Sequence, residues 1–100
     1  MSVGQNNDVI RVGILGAGGM GTAHARQYRK MSDIELTFFD TRIDQTERFA
    51  KQWDCVPSVS ADDLISSCDA VDICLPTDLH AQFALKAVAA GRAVFVEKPM

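Results

Sequence analysis

Apolar positions along the chain alternate between two periods, one typical of buried strands and one typical of helices. Residues 9–15 form a short β-branched run that ends in glycines, as expected for a strand buried on both faces. Beyond the glycines, apolar residues recur at helical spacing, and cations cluster in the last turn of that stretch. The pattern predicts strands at 9–15, 34–39, 56–59, 70–75 and 93–96, and helices at 20–31, 43–53, 61–66 and 78–90.

The helical pattern also predicts which side chains share a face toward the core. The first helix places Met20, Ala23, Tyr28 and Met31 on one face, and the second places Ile43, Ala50 and Trp53 in a stripe with Phe49 beside Trp53. Thr77 is predicted to cap the last helix, and Gly91 to end it. Cys74 lies in an apolar run and is predicted to be a small buried hydrophobe.

Strands that alternate with helices indicate βαβ units and a parallel sheet. Because crossovers between parallel strands are right-handed, few topologies remain. The pattern predicts an α/β fold of the Rossmann type, a doubly wound sheet with strand order 3-2-1-4-5. Residues 1–8 form a polar tail, and no linker or repeat divides residues 9–100, so these are predicted to form one domain.

Composition excludes several classes of protein. The chain has 100 residues, 47% hydrophobic and 23% charged, which is typical of one soluble globular domain. A net charge of -3 argues against nucleic acid and anionic membranes as partners. The three cysteines are odd in number and lack CxxC spacing, so neither a disulfide framework nor a metal site is predicted. No apolar stretch is long enough for a spanning helix or placed like a signal peptide, and a cytoplasmic location is expected.

A glycine-rich loop between the first strand and the first helix carries the main functional motif. The sequence GAGGMG matches G-x-G-x-x-G, in which Gly16 permits a tight turn and Gly18 admits a pyrophosphate close to the backbone. Gly21 allows the helix to pack closely on the strand, while Gly19 and Met20 complete the loop. The anion is expected at the helix N-terminus, where unpaired N–H groups point outward.

Asp40 strengthens this interpretation because it ends the second strand 19 positions after Gly21. That spacing brings an acidic side chain to the adenosine ribose. A carboxylate accepts hydrogen bonds from the ribose hydroxyls of NAD and repels the 2′-phosphate of NADP. NAD is therefore predicted, with NADP as the alternative, because the Arg42 guanidinium can pair with a 2′-phosphate.

Two further motifs follow buried strands and should face the same crevice as the glycine loop. The first is PTDLH at residues 76–80, and the second is EKP at residues 97–99. Lys98 is a candidate donor to a substrate oxygen or a proton-transfer group. A lysine in this position is otherwise a common solvated charge.

In their order, GAGGMGTAHA, DICLPTDLHAQFALKAVAAG and FVEKP resemble the N-terminal half of the Gfo/Idh/MocA oxidoreductase family, over nearly all of residues 9–100. The resemblance implies a catalytic Lys98 with Glu97 nearby and a cis bond before Pro99. It also implies that the nicotinamide side of the cofactor groove is lined by Leu75, Pro76, Thr77 and His80. His80 is equally compatible with packing the loop, and His24 is expected to pack or hydrogen-bond beneath the glycine loop.

The resemblance further implies a second domain that binds a sugar, inositol or related cyclic alcohol and supplies an oligomer interface. That domain is absent from these residues, so the chain is expected to be a truncated nucleotide-binding domain that binds NAD without turnover. Exposed sheet edges predict self-association of the fragment. Two alternatives remain open, a non-catalytic NAD(P)-binding regulator and a structural module.

Overall fold

A computed structural model describes residues 9–96, apart from the side chain of Thr77. It contains a five-stranded parallel sheet with strand order β3-β2-β1-β4-β5, which is the predicted order. The elements are β1 (Ile10–Leu15), α1 (Gly19–Tyr28), β2 (Ile34–Phe39), α2 (Ile43–Trp53), β3 (Val56–Pro57), α3 (Ala61–Ser67), β4 (Ala70–Ile73), α4 (Thr77–Ala89) and β5 (Ala93–Val96). The predicted Rossmann-type architecture is therefore confirmed.

The central strand β1 explains the near-continuous apolar run at the start of the chain. It pairs in parallel with β2 on one side, where Leu15 lies opposite Phe39, and with β4 on the other, where Leu15 lies opposite Ile73. Helices cover both faces, so the last four residues of β1 are buried. Because all strands run the same way, the loops after β1, β2 and β4 meet at one edge of the sheet.

The core has two layers, one on each side of the sheet. One layer centres on Phe38 of β2, whose ring lies 4.5 Å from that of Phe49 in α2. The other layer centres on Leu64 of α3 and Val71 of β4, with Ala87 of α4. Among the described residues, no helix has both the length and the apolar character needed to cross a membrane.

The predicted helix faces were only partly right. Met20, Met31 and Ile43 are exposed, by 37%, 48% and 78%, whereas the buried residues of α1 are Gly21 and Ala25. For Met20 the cause is the close approach of α1 to β1, which leaves room only for small side chains at the contact. Met31 lies beyond the end of α1 at Tyr28, and Ile43 is the first residue of α2. Phe49 is buried, and partly buried Tyr28, Ala50 and Trp53 pack on the same core layer, as predicted.

Several predicted boundaries also change, and the first helix ends at Tyr28, three residues earlier than predicted. The third strand is only Val56–Pro57, consistent with the missing N–H of proline. The fourth strand ends at Ile73, so Cys74 begins the following loop. Thr77 is the first residue of α4 and does not cap it, because Pro76 occupies the cap position. Gly91, with φ of 78°, follows the helix as predicted.

Candidate functional site

The glycine loop between β1 and α1 is tightly packed against its neighbours. Gly16 has φ of 105°, and a Cβ atom there would lie 2.6 Å from the carbonyl oxygen of Cys74. A Cβ atom on Gly21 would lie 2.1 Å from the carbonyl oxygen of Gly16. The first and third glycines of the motif are thus required by the turn and by the contact between helix and strand.

The N-terminus of α1 is exposed and has no side-chain cap among the described residues. Gly18 occupies the cap position, and the first turn contains no acidic residue. A Cβ atom on Gly19 would meet nothing within 4 Å outside its own helix and its neighbours. The N–H groups of this turn therefore face open space, where the helix dipole favours an anion.

Asp40 directly follows β2 and contacts the glycine loop through a hydrogen bond from Ala17. Its side chain is 7% exposed, and its Oδ2 accepts a 2.8 Å hydrogen bond from the backbone N–H of Ala17. Its Oδ1 accepts a 2.9 Å bond from the backbone N–H of Arg42, while the guanidinium Nε and Nη2 lie 3.3 and 3.5 Å from the carboxylate. Partial burial raises the pKa of Asp40, but the bonds from Ala17 and Arg42 and the guanidinium charge outweigh it, so the pKa is lowered.

We predict that Asp40→Asn removes a pH-dependent part of the stability. Because the folded state lowers the pKa of Asp40, its contribution is complete above the unfolded pKa and is lost as pH falls through the folded pKa. The difference in unfolding free energy between wild type and variant should be constant above about pH 5 and shrink below about pH 4. Urea unfolding across this range measures it, and a difference that grows on acidification would contradict the assigned contacts.

A cavity of about 520 Å³ lies at the carboxyl edge of the sheet, between the end of β2 and the start of α4. Asp40 and Arg42 provide a charged wall. Leu75, Pro76 and Phe83 provide an apolar wall opposite. Such a cavity suits a flat ring that carries hydroxyl groups on one side.

His80 packs the loop between β4 and α4. Its Nε2 donates a 2.6 Å hydrogen bond to the carbonyl oxygen of Leu75. This contact corresponds to the packing role that the sequence left open for His80. Glu97, Lys98 and the bond before Pro99 lie outside the described residues, so their predicted roles remain predictions.

A polar network beneath the glycine loop was largely missed by the sequence analysis. Asp72, in the middle of β4, is 1% exposed, and its Oδ2 lies 2.6 Å from Nδ1 of His24 and accepts a 2.7 Å bond from the Tyr28 hydroxyl. The Sγ of Cys74 lies 3.4 Å from Nδ1 of His24 and 3.5 Å from Oδ1 of Asp72. The prediction that Cys74 is a buried hydrophobe was only partly right: it is partly buried and packs against the core layer around Phe38, but it also belongs to this network.

The network has a sequence signal and an electrostatic consequence. An aspartate inside an otherwise apolar buried strand needs polar partners, and this requirement indicates a network even before the partners are known. Burial, together with the hydrogen bond to Asp72 and the charges of Asp72 and Cys74, raises the pKa of Tyr28. Tyr28 therefore remains a protonated donor to the carboxylate, and His24 is anchored beneath the loop as predicted.

The strand order, the glycine loop and the carboxylate at the end of β2 define a Rossmann-type domain. A family model described as an oxidoreductase family with an NAD-binding Rossmann fold matches residues 10–100. The chain belongs to this family, the Gfo/Idh/MocA oxidoreductases, as its three motifs predicted.

Individual relatives are similar in sequence, and solved structures are similar in fold. Over 93 residues the chain is 37% identical to inositol 2-dehydrogenase of Rhizobium meliloti (strain 1021), covering 91% of this chain and 28% of that protein. It is similar to the crystal structure of biliverdin reductase from Synechocystis sp. PCC 6803 in complex with biliverdin and NADP+, with TM-score 0.84, 31% identity and coverage of 90% and 29%. It is also similar to the WlbA dehydrogenase of Bordetella pertussis in complex with NADH and UDP-GlcNAcA, with TM-score 0.83, 27% identity and coverage of 97% and 29%. The chain thus spans less than a third of the length of these relatives.

Proposed function

We propose that this chain is the nucleotide-binding part of an NAD-dependent oxidoreductase that acts on the CH–OH group of a sugar, inositol or related cyclic alcohol. The observation that carries the proposal is the juxtaposition of an uncapped helix N-terminus with the carboxylate of Asp40 across the glycine loop. The substrate class is supported by the similarity to inositol 2-dehydrogenase. When bound, the nicotinamide supplies hydride transfer, while the residues of this chain bind and orient the cofactor.

The pyrophosphate fits the first turn of α1. Gly18 and Gly19 present backbone without side chains there, and Met20 lies beside them, half exposed. Outward-pointing N–H groups supply hydrogen bonds to the anion, and the Arg48 side chain lines the same cavity as Gly18 and Gly19. A chain with net charge -3 can therefore still offer a locally favourable site to an anionic cofactor.

The adenosine end fits the cavity beside Asp40. The two short bonds from backbone N–H groups hold the carboxylate in place, whereas the longer contacts from Arg42 come from a side chain that is 59% exposed. Ribose hydroxyls can replace those longer contacts, and the released guanidinium can remain in solvent or pair with a 2′-phosphate. The family resemblance implies that Leu75, Pro76, Thr77 and His80 line the nicotinamide side of the groove. Because Leu75 and Pro76 line the same cavity as Asp40, we propose instead that these two contact the adenosine, with His80 holding their loop and Thr77 beginning the helix behind it.

We predict opposite effects of two substitutions on cofactor preference. Asp40→Ser should weaken NAD binding by about 10-fold or more relative to NADP, because hydrogen bonds to a charged group contribute about 1.5–3 kcal/mol. Arg42→Ala should weaken NADP binding by about 10-fold and leave NAD binding nearly unchanged. Calorimetric titration with each nucleotide gives the two ratios, and using ratios cancels general losses of stability.

Adding NAD or NADP to the wild-type chain also tests the alternative that the chain is only a structural module. Binding of NAD at millimolar concentration should raise the melting temperature of the wild-type chain. If neither nucleotide binds or raises the melting temperature, the cofactor proposal fails and the structural module is favoured.

We extend the proposal to Lys98 as the residue that holds the reacting oxygen of the substrate, with Glu97 beside it, on the resemblance of the EKP motif. The test is Lys98→Ala in a protein that also carries the substrate domain. Unchanged turnover would contradict the catalytic role and favour the non-catalytic regulator.

Three further predictions remain: a homo-oligomer in the whole enzyme, self-association of this chain, and a cytoplasmic location. Sedimentation over a dilution series tests the second of these.

A further inference from the structure

We propose that His24, Asp72 and Cys74 form a binding site for Zn²⁺ or a similar borderline-soft divalent cation. One ligand atom from each residue lies within 4.8 Å of the others, and the three come from α1, β4 and the loop that follows β4. The spacing of the cysteines gives no hint of this site, because two of its three ligands are not cysteines. The proposal does not depend on cofactor binding.

The observed distances fit tetrahedral coordination. Bonds of about 2.0–2.3 Å to Zn²⁺ at tetrahedral angles separate neighbouring ligand atoms by roughly 3.3–3.8 Å. The Sγ of Cys74 lies 3.4 Å from Nδ1 of His24 and 3.5 Å from Oδ1 of Asp72. Two of the three ligand separations are therefore already those of a metal site.

The third pair of ligands is His24 and Asp72, and the two oxygens of the Asp72 carboxylate have different roles in it. The 2.6 Å contact between Nδ1 of His24 and Oδ2 of Asp72 is a hydrogen bond that the metal would replace. Coordination through Oδ1 leaves Oδ2 to accept the 2.7 Å bond from Tyr28. Tyr28 would then orient the carboxylate in the way that outer hydrogen bonds orient metal ligands.

Charge and ligand type select the metal. The charges of the thiolate and the carboxylate balance that of a divalent cation, so the occupied site has no net charge beside the buried strand β4. Thiolate and imidazole favour Zn²⁺ over Mg²⁺ and Ca²⁺, which prefer oxygen ligands. His24 is 26% exposed, which gives solvent access for entry of the ion and for water at the fourth position.

Binding forms bonds from the metal to Sγ, Nδ1 and Oδ1 and breaks the S–H bond of Cys74. The thiol proton leaves to the buffer, and the Nδ1 proton of a neutral His24 moves to Nε2, while an imidazolium would release one proton to the buffer. No electron is transferred. Cys55 and Cys68 lie outside the cluster, and burial raises the pKa of Cys55 to about 11, which disfavours its thiolate.

The test is a titration of the reduced, untagged chain with Co²⁺ as a spectroscopic probe for Zn²⁺. We expect a thiolate-to-cobalt charge-transfer band and tetrahedral visible absorption, both of which added Zn²⁺ removes by competition. Absence of these bands up to about 1 mM Co²⁺ in the wild-type chain would overturn the proposal, since ordinary protein zinc sites bind far more tightly.

Variants decide which cysteine is the ligand. Cys74→Ala should abolish the charge-transfer band, whereas Cys55→Ala, the matched loss of another cysteine, should retain it. Tyr28→Phe should weaken affinity by about 10-fold or more, as loss of an outer hydrogen bond does in other sites. Persistence of the band in Cys74→Ala, or its loss in a folded Cys55→Ala, would overturn the assignment. Cys74→Ser replaces Cys74→Ala if circular dichroism shows the latter unfolded.

Discussion

Gly21→Ala should lower the free energy of unfolding by about 2–3 kcal/mol, because overpacking at a tight contact costs about that much. The added Cβ would lie 2.1 Å from the carbonyl oxygen of Gly16 and 3.4 Å from Cγ2 of Ile14. The nearest atom is backbone, so no rotation of a side chain can relieve the overlap. Either α1 moves away from β1 or the glycine loop shifts, and both changes lose core contacts.

The same displacement should weaken NAD binding, because the loop and the first turn of α1 are the proposed pyrophosphate site. Urea unfolding without cofactor measures the stability, and calorimetric titration measures the binding. These two measurements separate a loss of fold from a loss of site.

Gly19→Ala is the matched control for Gly21→Ala, two residues earlier in the same helix. A Cβ on Gly19 meets nothing within 4 Å apart from its own helix and neighbours, so the higher helix propensity of alanine should leave stability unchanged or raise it by up to about 1 kcal/mol. Equal destabilisation by both substitutions would show that the effect belongs to helix propensity or loop entropy and not to the contact between helix and strand.

The strand order and the glycine turn were predictable because they depend on local pattern. The apolar runs of β1 and β4 reflect burial on both faces, and right-handed crossovers leave few possible strand orders. Gly16 was predictable because its left-handed φ is a property of a single residue. Each of these features is encoded within a few neighbouring positions.

The contact face of α1 was not predictable from hydrophobicity. Helical periodicity favours Met20 and Met31 as core residues, but the close approach at Gly21 and Ala25 leaves Met20 exposed, and Met31 lies beyond the end of the helix at Tyr28. The distance between α1 and the sheet decides which face of α1 makes the contact. That distance depends on how the helix and the sheet pack together. Hydrophobic spacing alone carries no information about that separation.

The polar network escaped prediction for a different reason. Asp72 and His24 are 48 residues apart in the chain, so no local motif joins them. The apolar surroundings of Cys74 in the sequence hid a polar environment in space. Only the parallel pairing of β1 with β4 brings α1 over this part of the sheet.

Asp72→Ala should destabilise the chain by about 3 kcal/mol or more. The substitution removes an acceptor that is 1% exposed and leaves the Tyr28 hydroxyl and Nδ1 of His24 without their 2.7 and 2.6 Å contacts to Oδ2. Each of the two lost bonds to a charged acceptor contributes about 1.5–3 kcal/mol, and Nδ1 of His24 keeps its 3.4 Å contact with Sγ of Cys74. Urea unfolding in the presence of a chelator measures the effect without any contribution from bound metal.

Tyr28→Phe is the control for Asp72→Ala. It tests how much of the stability comes from the Tyr28 hydroxyl and how much from the Asp72 carboxylate. It removes one donor while the contacts of Asp72 with His24 and Cys74 remain, so the expected loss is about 1.5 kcal/mol, the lower end for a bond to a charged acceptor. A loss in Tyr28→Phe as large as that in Asp72→Ala would place the stabilisation in the packing of the phenol ring. A small loss in Asp72→Ala would mean that the carboxylate is retained in β4 at little net gain in stability, as is expected when burial of a charge offsets the bonds it accepts. The difference between the two variants thus measures how much of the contact between α1 and β4 depends on a charged acceptor.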